Sequence, residues 1–269
     1  EKEKEKQEQQ EQQPQDQQIP LTPKQQQQQD ILSLYRTEQL AQAIAVIDHR
    51  LFSAIPNHEF LKQSFMKPGK APYFARFVTY FNRWSQWACG EIVKRTEIGE
   101  RVRVLGKVIR VASVCVEIND FSAAYAIVAG LQNASVRRLQ NTWDRISKKN
   151  KLMYEELSQL FDIEEDHKAY REAFSAAKLP AVPYLGLYRR LILTIEETEP
   201  LHLDSGEIFI HGRIRSLWKV VCDIRNYQRT PFSFPLPPPL LSYFLISPVL
   251  TEEEAYELSL ICEARKKKK

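Results

Sequence analysis

The amino-acid sequence predicts an all-α protein built around a single large helical domain. From residue 31 onward, apolar side chains recur every three or four positions, which is the period of an amphipathic helix. Alternating apolar and polar residues, which would indicate strands, are sparse. The chain holds only 8 glycines in 269 residues, against a usual share of about 7%. This scarcity disfavours structures that need many tight turns or glycine-rich phosphate loops.

The first element along the chain is a leader over residues 1–30. Glu and Lys alternate at its start, Gln then dominates, and Pro14, Pro20 and Pro23 interrupt it. It contains too few apolar side chains to offset the entropy lost on ordering, so we expect it to be disordered. It also lacks the apolar heptad seam of a coiled coil. Residues 31–264 are therefore expected to form the folded domain.

Three long core helices open the domain. They are predicted over residues 40–55, 74–94 and 99–119, because each segment carries an apolar stripe at helical spacing. The first ends at Pro56, since proline lacks the N–H group that continues a helix.

Asn119 and Asp120 mark the start of the next helix, because a short polar side chain can accept a hydrogen bond from a free first-turn amide. This helix is strongly apolar and is predicted to end near Gly130. The shorter helices that follow are predicted over residues 142–147, 151–160 and 167–177.

Two helices over residues 185–197 and 208–226 precede a proline-rich break at 231–239. The last helix begins with a capping-box pattern, in which Thr251 caps the first turn and Glu254 lies three residues later. Five apolar residues of the 208–226 helix are expected to face the core: Ile214, Leu217, Trp218, Val221 and Cys222.

The formal net charge of +4 raises the question of a nucleic-acid partner, and the distribution of charge answers it. The leader carries more acidic than basic residues, the last five residues are all basic, and the domain between them mixes both signs. We therefore expect no nucleic-acid partner. The basic tail over residues 265–269 is compatible with a weak contact with a membrane surface through Lys266, Lys267, Lys268 and Lys269. Stable membrane binding would require a second anchor.

The residues that usually perform covalent or metal chemistry form no recognisable pattern. Four cysteines lie far apart, five histidines show no ligand spacing, and the GxSxG, HExxH, Walker A and GxGxxG motifs are absent from the sequence. No apolar run is long enough for a membrane-spanning helix. We therefore expect a cytoplasmic protein with no metal, no cofactor and no covalent catalysis. Because the sequence begins at Glu1 rather than Met, we expect it to be a piece of a longer polypeptide.

One local pattern is unusual. Pro180 and Pro183 restrict the backbone to extended conformations, which presents Tyr184 on a rigid ledge before an amphipathic helix. In that helix, Leu193 and Glu197 are four residues apart and share one face. Spacing alone favours helix termination by surface acids, and the alternative is a face that presents a hydrophobe and a carboxylate together to a partner.

The segment Val182–Tyr188, together with Ile195–Glu197, resembles the most recognisable block of the catalytic domain of Ras-type guanine nucleotide exchange factors. Other blocks resemble the family in the same order, and together they cover about residues 31–264. These further blocks are Leu40–Pro56, Phe81–Val102, Ile118–Trp143, Tyr243–Leu245 and Thr251–Ser259.

The resemblance implies an all-helical bowl with a protruding helical hairpin that opens a small GTPase of the Ras, Rap or Ral type. In the family the hairpin displaces switch I from the nucleotide, and the bowl grips switch II. Such a factor releases GDP without making or breaking a covalent bond. The residues that the resemblance assigns to exchange are Leu193, Glu197 and Asn119, and those assigned to GTPase binding are Phe81, Asn82, Tyr184 and Glu196.

The hairpin departs from the family pattern at two places. Phe209-Ile210-His211 stands where the family usually has Ile-Asn-Phe, and Thr198-Glu199-Pro200 replaces Gly-Asn-Pro. These departures leave two functions open. The first is an active exchange factor that acts in the cytoplasm or is recruited from there to a membrane. The second is an exchange-inactive scaffold of the same fold that only binds the GTPase.

Overall fold

The computed structural model describes residues 30–198 and 211–265, and within these two ranges the protein is all-α, as the sequence predicts. No strand forms there; the nearest feature is an isolated parallel bridge between Asp120 and Val182. The α-helices of the described ranges are α1 (Ile31–Leu34), α2 (Thr37–Ser53), α3 (Pro72–Val93), α4 (Ile98–Glu117), α5 (Phe121–Leu131), α6 (Ala134–Arg137), α7 (Gln140–Trp143), α8 (Lys148–Leu160), α9 (Glu164–Ala176), α10 (Leu185–Thr198), α11 (His211–Gln228), α12 (Pro238–Ile246) and α13 (Glu252–Cys262).

The centre of the domain is α5, whose side chains are almost all buried between α3 and α4. Gly130 allows the close approach of α5 to α3. A Cβ atom at that position would lie 2.3 Å from the carbonyl oxygen of Ser85, a distance that no side chain tolerates. The glycine that the sequence analysis assigned to a helix end is therefore also a packing residue.

A second, smaller core lies under α10 and α11 and joins these two helices to the body. It is built from buried aromatic and aliphatic side chains, so the hydrophobic effect fixes the base of the helix pair. Its main members are Phe52, Phe74, Phe77, Ile192, Ile195, Val220 and Ile224.

The end of the described chain is attached to the body by the carboxylate of Glu263. This group accepts hydrogen bonds from the backbone N–H groups of Asn141 and Thr142, at 3.1 and 3.0 Å, and from the Thr142 hydroxyl at 2.8 Å. Arg101, which is buried, donates to the same hydroxyl at 2.9 Å. The carboxylate thus satisfies first-turn amides of α7 and faces a buried cation.

The predicted helix starts at Asp120 and Thr251 are confirmed. The Asp120 carboxylate accepts a hydrogen bond from the Ala123 N–H at 3.1 Å. Thr251 and Glu254 form the reciprocal capping box of α13. These interactions are local, so the sequence alone reveals them.

Three details of the prediction are wrong. The helix expected at 142–147 is instead the short α7, and the proline-rich break contains the start of α12, because two prolines are tolerated in a first helical turn. On α11, Trp218, Ile214 and Cys222 are exposed rather than buried. Only one side of α11 contacts the body, and Val220, Val221 and Ile224 occupy it.

The predicted disordered leader, apart from residue 30, lies outside the described residues, as do the hairpin departures over 199–210 and the lysines of 266–269. Among the helices that the structure describes, none has both the length and the apolar character needed to cross a membrane.

Candidate functional site

The turn between α4 and α5 forms the floor of the candidate site. Asn119 has a left-handed backbone conformation with φ of 66°, which Asn tolerates better than most residues. Its side-chain N–H donates to the carbonyl of Lys178 at 2.9 Å, and its own carbonyl accepts from the N–H of Val182 at 3.0 Å. The N–H groups of Phe121 and Ser122 donate in turn to the Val182 carbonyl. Asn119 is thereby fixed against the segment that precedes α10.

Tyr184 lies on the ledge directly after this segment. Its backbone N–H donates to the Tyr170 hydroxyl at 2.9 Å. Its ring packs edge-on against Tyr125, with centroids 4.5 Å apart, and lies 5.6 Å from the ring of Phe81. The ring is half-buried, and burial raises the pKa of the Tyr184 phenol. The phenol therefore stays protonated and can donate a hydrogen bond to a partner.

Gly186 explains how the Tyr184 ring reaches this position. A Cβ atom on Gly186 would lie between 2.3 and 2.6 Å from atoms at the far end of that ring. The ring folds back over the first turn of α10, and only glycine leaves room for it.

The structure brings Phe81 and Tyr184 together, as the resemblance implies. Phe81 is half-buried on α3, and the next residue, Asn82, is exposed. Asn119 joins them through the backbone of the 178–184 segment. We call the surface formed by Phe81, Asn82, Asn119 and Tyr184 the base.

Helices α10 and α11 form an antiparallel pair, which we call the hairpin. The hydroxyls of Tyr188, near the start of α10, and Tyr227, near the end of α11, interact by a hydrogen bond. Burial is the main reason that the pKa of each phenol is raised. The hydrogen bond fixes the end of the hairpin that is nearest the base.

The hairpin carries Leu193 and Glu197 where a partner can reach them. Leu193 is half-buried and Glu197 is exposed, one helical turn farther along α10. Large apolar side chains are also exposed on the hairpin: Leu191 to 47%, Ile214 to 57% and Trp218 to 65%. Ile214 and Trp218 are four residues apart and share a face of α11. Exposed apolar side chains grouped in this way indicate an interaction surface.

Glu196 differs sharply from its neighbour Glu197. Its side chain is buried, and its Oε1 accepts a hydrogen bond from the backbone N–H of Lys62 at 2.7 Å. Lys62 and Gln63 both have left-handed φ angles, so this contact holds an unusual turn of the 57–66 segment against α10. The described contact of Glu196 is internal, and its assignment to GTPase binding stays a prediction.

Sequence reasoning missed the residues that position the Tyr184 ledge. Tyr125, Phe161 and Tyr170 surround the ledge, with Tyr125 and Phe161 stacked at 4.9 Å. Tyr125 lies on α5, Tyr170 lies on α9, and Phe161 directly follows α8. No spacing in the sequence connects them with Tyr184. Among the described residues, no group of three His, Cys, Asp or Glu side chains is placed to hold a metal ion.

Comparison with known proteins places these observations in a family. The RasGEF domain model matches residues 39–213, a range that contains the whole base, α10 and the start of α11. Ras guanine nucleotide exchange factor D of Dictyostelium discoideum is 36% identical over 218 residues, which cover 81% of this chain and 32% of that protein. Ras-specific guanine nucleotide-releasing factor 2 of Danio rerio is 30% identical over 231 residues, which cover 84% of this chain and 18% of that protein.

A third relative is Ras guanine nucleotide exchange factor S of Dictyostelium discoideum. It is 27% identical over 247 residues, which cover 88% of this chain and 24% of that protein. The chain therefore spans about a third or less of the length of these relatives.

Proposed function

The chain belongs to the RasGEF domain family, and from this membership and the geometry of the site we propose that it accelerates the release of GDP from a Ras-family small GTPase. The observation that carries the proposal is the pairing of a fixed base with a hairpin that exposes apolar and acidic side chains. A protein that binds the nucleotide-free form of its partner best lowers the barrier to nucleotide release. No bond of the nucleotide is made or broken, so the protein is not an enzyme of covalent chemistry.

The hairpin is the part that we propose displaces switch I. Leu193 would occupy space near the magnesium site, and Glu197 would place a negative charge near the α-phosphate site. Magnesium requires near-ideal octahedral coordination by oxygen atoms, so a displaced ligand and an inserted side chain both weaken its binding. The negative charge of Glu197 further disfavours a bound phosphate by repulsion.

The base is the part that we propose holds switch II. Tyr184 and Phe81 offer aromatic surface, and Asn82 offers an exposed amide. The half-buried Asn119, whose side-chain N–H group holds Lys178, would present its Oδ1 atom to the GTPase. We assign Glu196 an indirect part in GTPase binding, because it holds the 57–66 segment against the hairpin.

A nucleotide-release experiment tests the proposal. Ras, Rap and Ral type GTPases are loaded with a fluorescent GDP analogue, and this protein is added with excess unlabelled nucleotide. We expect at least one GTPase to lose the analogue at least about tenfold faster than it does alone, which corresponds to about 1.4 kcal/mol of barrier. The proposal is wrong if every GTPase of the panel releases the analogue at its own intrinsic rate.

Variants of the hairpin test the assigned residues. Leu193→Ala and Glu197→Gln are each expected to slow release by about tenfold, with little change of melting temperature because neither side chain is in the core. Leu152→Ala is the matched control, since Leu152 is 60% exposed on α8 and far along the chain from the hairpin. A melting temperature that falls together with the rate would indicate structural damage instead.

The second candidate is an exchange-inactive scaffold, and the altered residues at 198–200 and 209–211 favour it. It predicts stable binding of nucleotide-free or loaded GTPase without faster release. Pull-down with the same GTPase panel, performed beside the release experiment, separates the two functions.

We propose that residues 31–264 form the helical domain, which lies along the chain between the Gln-rich leader and the basic tail. The protein would act in the cytoplasm, and the tail would add a weak contact with an anionic membrane. The four terminal lysines could supply about 1 kcal/mol each near such a surface. Sedimentation with anionic vesicles, with and without Lys266–Lys269, tests this contact. Equal sedimentation of both forms would contradict it.

A further inference from the structure

Two carboxyl groups are buried together beneath the base. Asp48 lies on α2 and Asp120 caps α5, and both residues have no accessible surface. Asp48 Oδ1 accepts a hydrogen bond from the Trp84 indole N–H at 2.9 Å, and Asp120 Oδ1 accepts from the Ala123 N–H at 3.1 Å. One oxygen of each carboxyl group is therefore satisfied by a conventional donor.

The second oxygens are not satisfied in this way. No N–H or O–H group of the described residues reaches Asp48 Oδ2 or Asp120 Oδ2 with conventional hydrogen-bond geometry. The Asp120 carboxyl group and the Ser122 hydroxyl both lie beside Asp48, and the buried Ser122 hydroxyl likewise has no partner with that geometry among the described residues. Two buried acceptors in contact need a donor between them. A proton on one carboxyl group supplies it.

The groups that surround the two carboxyl groups favour the protonated form of the pair. Trp84 of α3, Cys115 of α4, and Ser122 and Ala123 of α5 face the pair; none of these groups is a cation, and the Cys115 thiol is itself kept neutral because burial raises its pKa. On α2, the neighbouring His49 instead contacts the carbonyl of Tyr227. Burial raises the pKa of Asp48 to about 6, and burial together with the charge of Asp48 raises that of Asp120 well above its usual value.

We propose that Asp48 and Asp120 share one proton at neutral pH and that the protonated pair is a positioning device for Asn119. Asp120 directly follows Asn119, and its own N–H donates to the Cys115 carbonyl at 2.8 Å. The pair ties α2 to the start of α5, where the N–H groups of Phe121 and Ser122 hold Val182. Movement of Asp120 would therefore carry both Asn119 and the ledge segment with it.

Loss of the shared proton would leave two negative charges in contact in a buried site. Such charges repel strongly where water cannot screen them. The start of α5 can relieve the repulsion by moving away from α2. The base would then loosen as the pH rises, and the part of this inference that concerns nucleotide exchange rests on the proposed function.

Infrared spectroscopy of the whole chain tests the proton directly. At pH 7 exposed carboxyl groups are ionised, so a carboxylic-acid C=O band that shifts on transfer to heavy water reports a protonated buried group. We expect this band in the unchanged protein and a shifted or lost band in Asp48→Asn and in Asp120→Asn, because each change removes one partner of the shared proton while the other carboxyl group stays buried. Asn is also a good N-cap, so the second variant remains informative if the first does not fold. The absence of the band from the unchanged protein would overturn the proposal.

Amide hydrogen exchange at Phe121 and Val182 tests the positioning role without a GTPase. For each amide, the protection in the unchanged protein is divided by the protection in Asp48→Asn at the same pH, which cancels the intrinsic pH dependence. We expect this ratio to fall about tenfold as the pH is raised from neutral through the raised pKa at which the pair loses its shared proton. Asp144→Asn, a change of an exposed aspartate, should leave the unchanged protein's profile intact. A constant ratio for Asp48→Asn would overturn the positioning role.

At each pH we then measure a second ratio, which is the rate of GDP release from a responsive GTPase with the unchanged protein divided by the rate with Asp48→Asn. It should fall over the same pH range if the pair positions Asn119 for exchange, and a flat ratio would contradict that link. If no GTPase responds to the unchanged protein at any pH, the proposed function fails, whereas the infrared band and the amide protection still decide whether the pair and its positioning role are real.

Discussion

The base and the hairpin of the candidate site differ in what their side chains contact: those of the base contact other parts of the chain, whereas several on the hairpin are exposed. In the base, Asn119 and the backbone of Tyr184 make hydrogen bonds within the chain, and the Tyr184 ring packs between other aromatic rings. On the hairpin, Ile214 and Trp218 expose most of their apolar surface. The base is therefore shaped by the protein's own contacts, whereas the hairpin surface is suited to burial against a partner.

The largest expected effect comes from breaking the support of the base. Phe121 is 2% exposed, and its ring packs edge-on against Tyr170 and Phe174 with centroids 5.7 and 5.4 Å apart. Phe121→Ala should lower the free energy of unfolding by about 3–5 kcal/mol, because it removes a large buried side chain and leaves a cavity. Urea unfolding measures the change. A loss below about 1 kcal/mol would show that the base is not rigidly packed.

The next effect is the pH dependence of stability from the buried carboxyl pair. The folded protein keeps a proton on Asp48 up to about pH 6, because burial raises its pKa, whereas the unfolded chain releases that proton near pH 4. The free energy of unfolding should therefore fall as the pH rises from about 4 to 6, by up to about 1.4 kcal/mol per pH unit.

Asp48→Asn should reduce this slope, and Asp120 keeps its own contribution because it remains buried. The stability difference between the two proteins therefore isolates the contribution of Asp48. Urea unfolding at several pH values gives the curves. The exposed Asp144→Asn control should keep the slope of the unchanged protein. Parallel curves for Asp48→Asn and the unchanged protein would show that the proton is not held at this site.

Two substitutions of Asn119 separate its backbone role from its side-chain role. Both Asn119→Ala and Asn119→Gly remove the hydrogen bond to Lys178, worth about 1 kcal/mol. Only alanine adds the strain of a left-handed backbone, about 1 kcal/mol or more. Thermal unfolding should therefore rank Gly above Ala in stability. If the amide also contacts a GTPase, both variants should slow nucleotide release, and equal stability of the two would contradict the backbone argument.

The smallest expected effect on stability lies on the hairpin. Trp218→Ala removes a larger side chain than Phe121→Ala, but Trp218 is 65% exposed. We expect a change within about 0.5 kcal/mol in the free energy of unfolding, measured under the same urea conditions. A loss near that of Phe121→Ala would mean that the tryptophan is covered in the folded protein, and the contrast between base and hairpin would fail.

Periodicity and end signals in the sequence predicted the long helices closely. The predicted ends of α3 at 94 and α4 at 119 differ from the observed ends by one and two residues. Apolar spacing and helix caps act within a few residues of chain, so they are readable without a fold. The motif around Tyr184 and the helix after it were also identified from the sequence, since their pattern is contiguous.

The faces of α11 show where local pattern fails. This helix carries apolar residues on two sides, and helical spacing alone does not favour burial of Val220 and Ile224 over burial of Ile214 and Trp218. Which side is buried depends on the second core, which gathers residues from distant helices. The adjacent acids Glu196 and Glu197 show the same limit, because only the contact with Lys62 distinguishes the buried one from the exposed one.

Local patterns in the sequence predicted the helical class of the protein, most of its helices and the caps at Asp120 and Thr251. A family resemblance pointed to Leu193, Glu197 and Asn119. The contacts of Tyr125 and Tyr170 with Tyr184, and the position of Asp48 beside Asp120, are visible only in the folded chain. The difference arises from how far apart in the sequence the interacting residues lie. Helix formation depends on neighbours one turn apart, whereas burial, ring packing and shared protons depend on residues that only folding brings together.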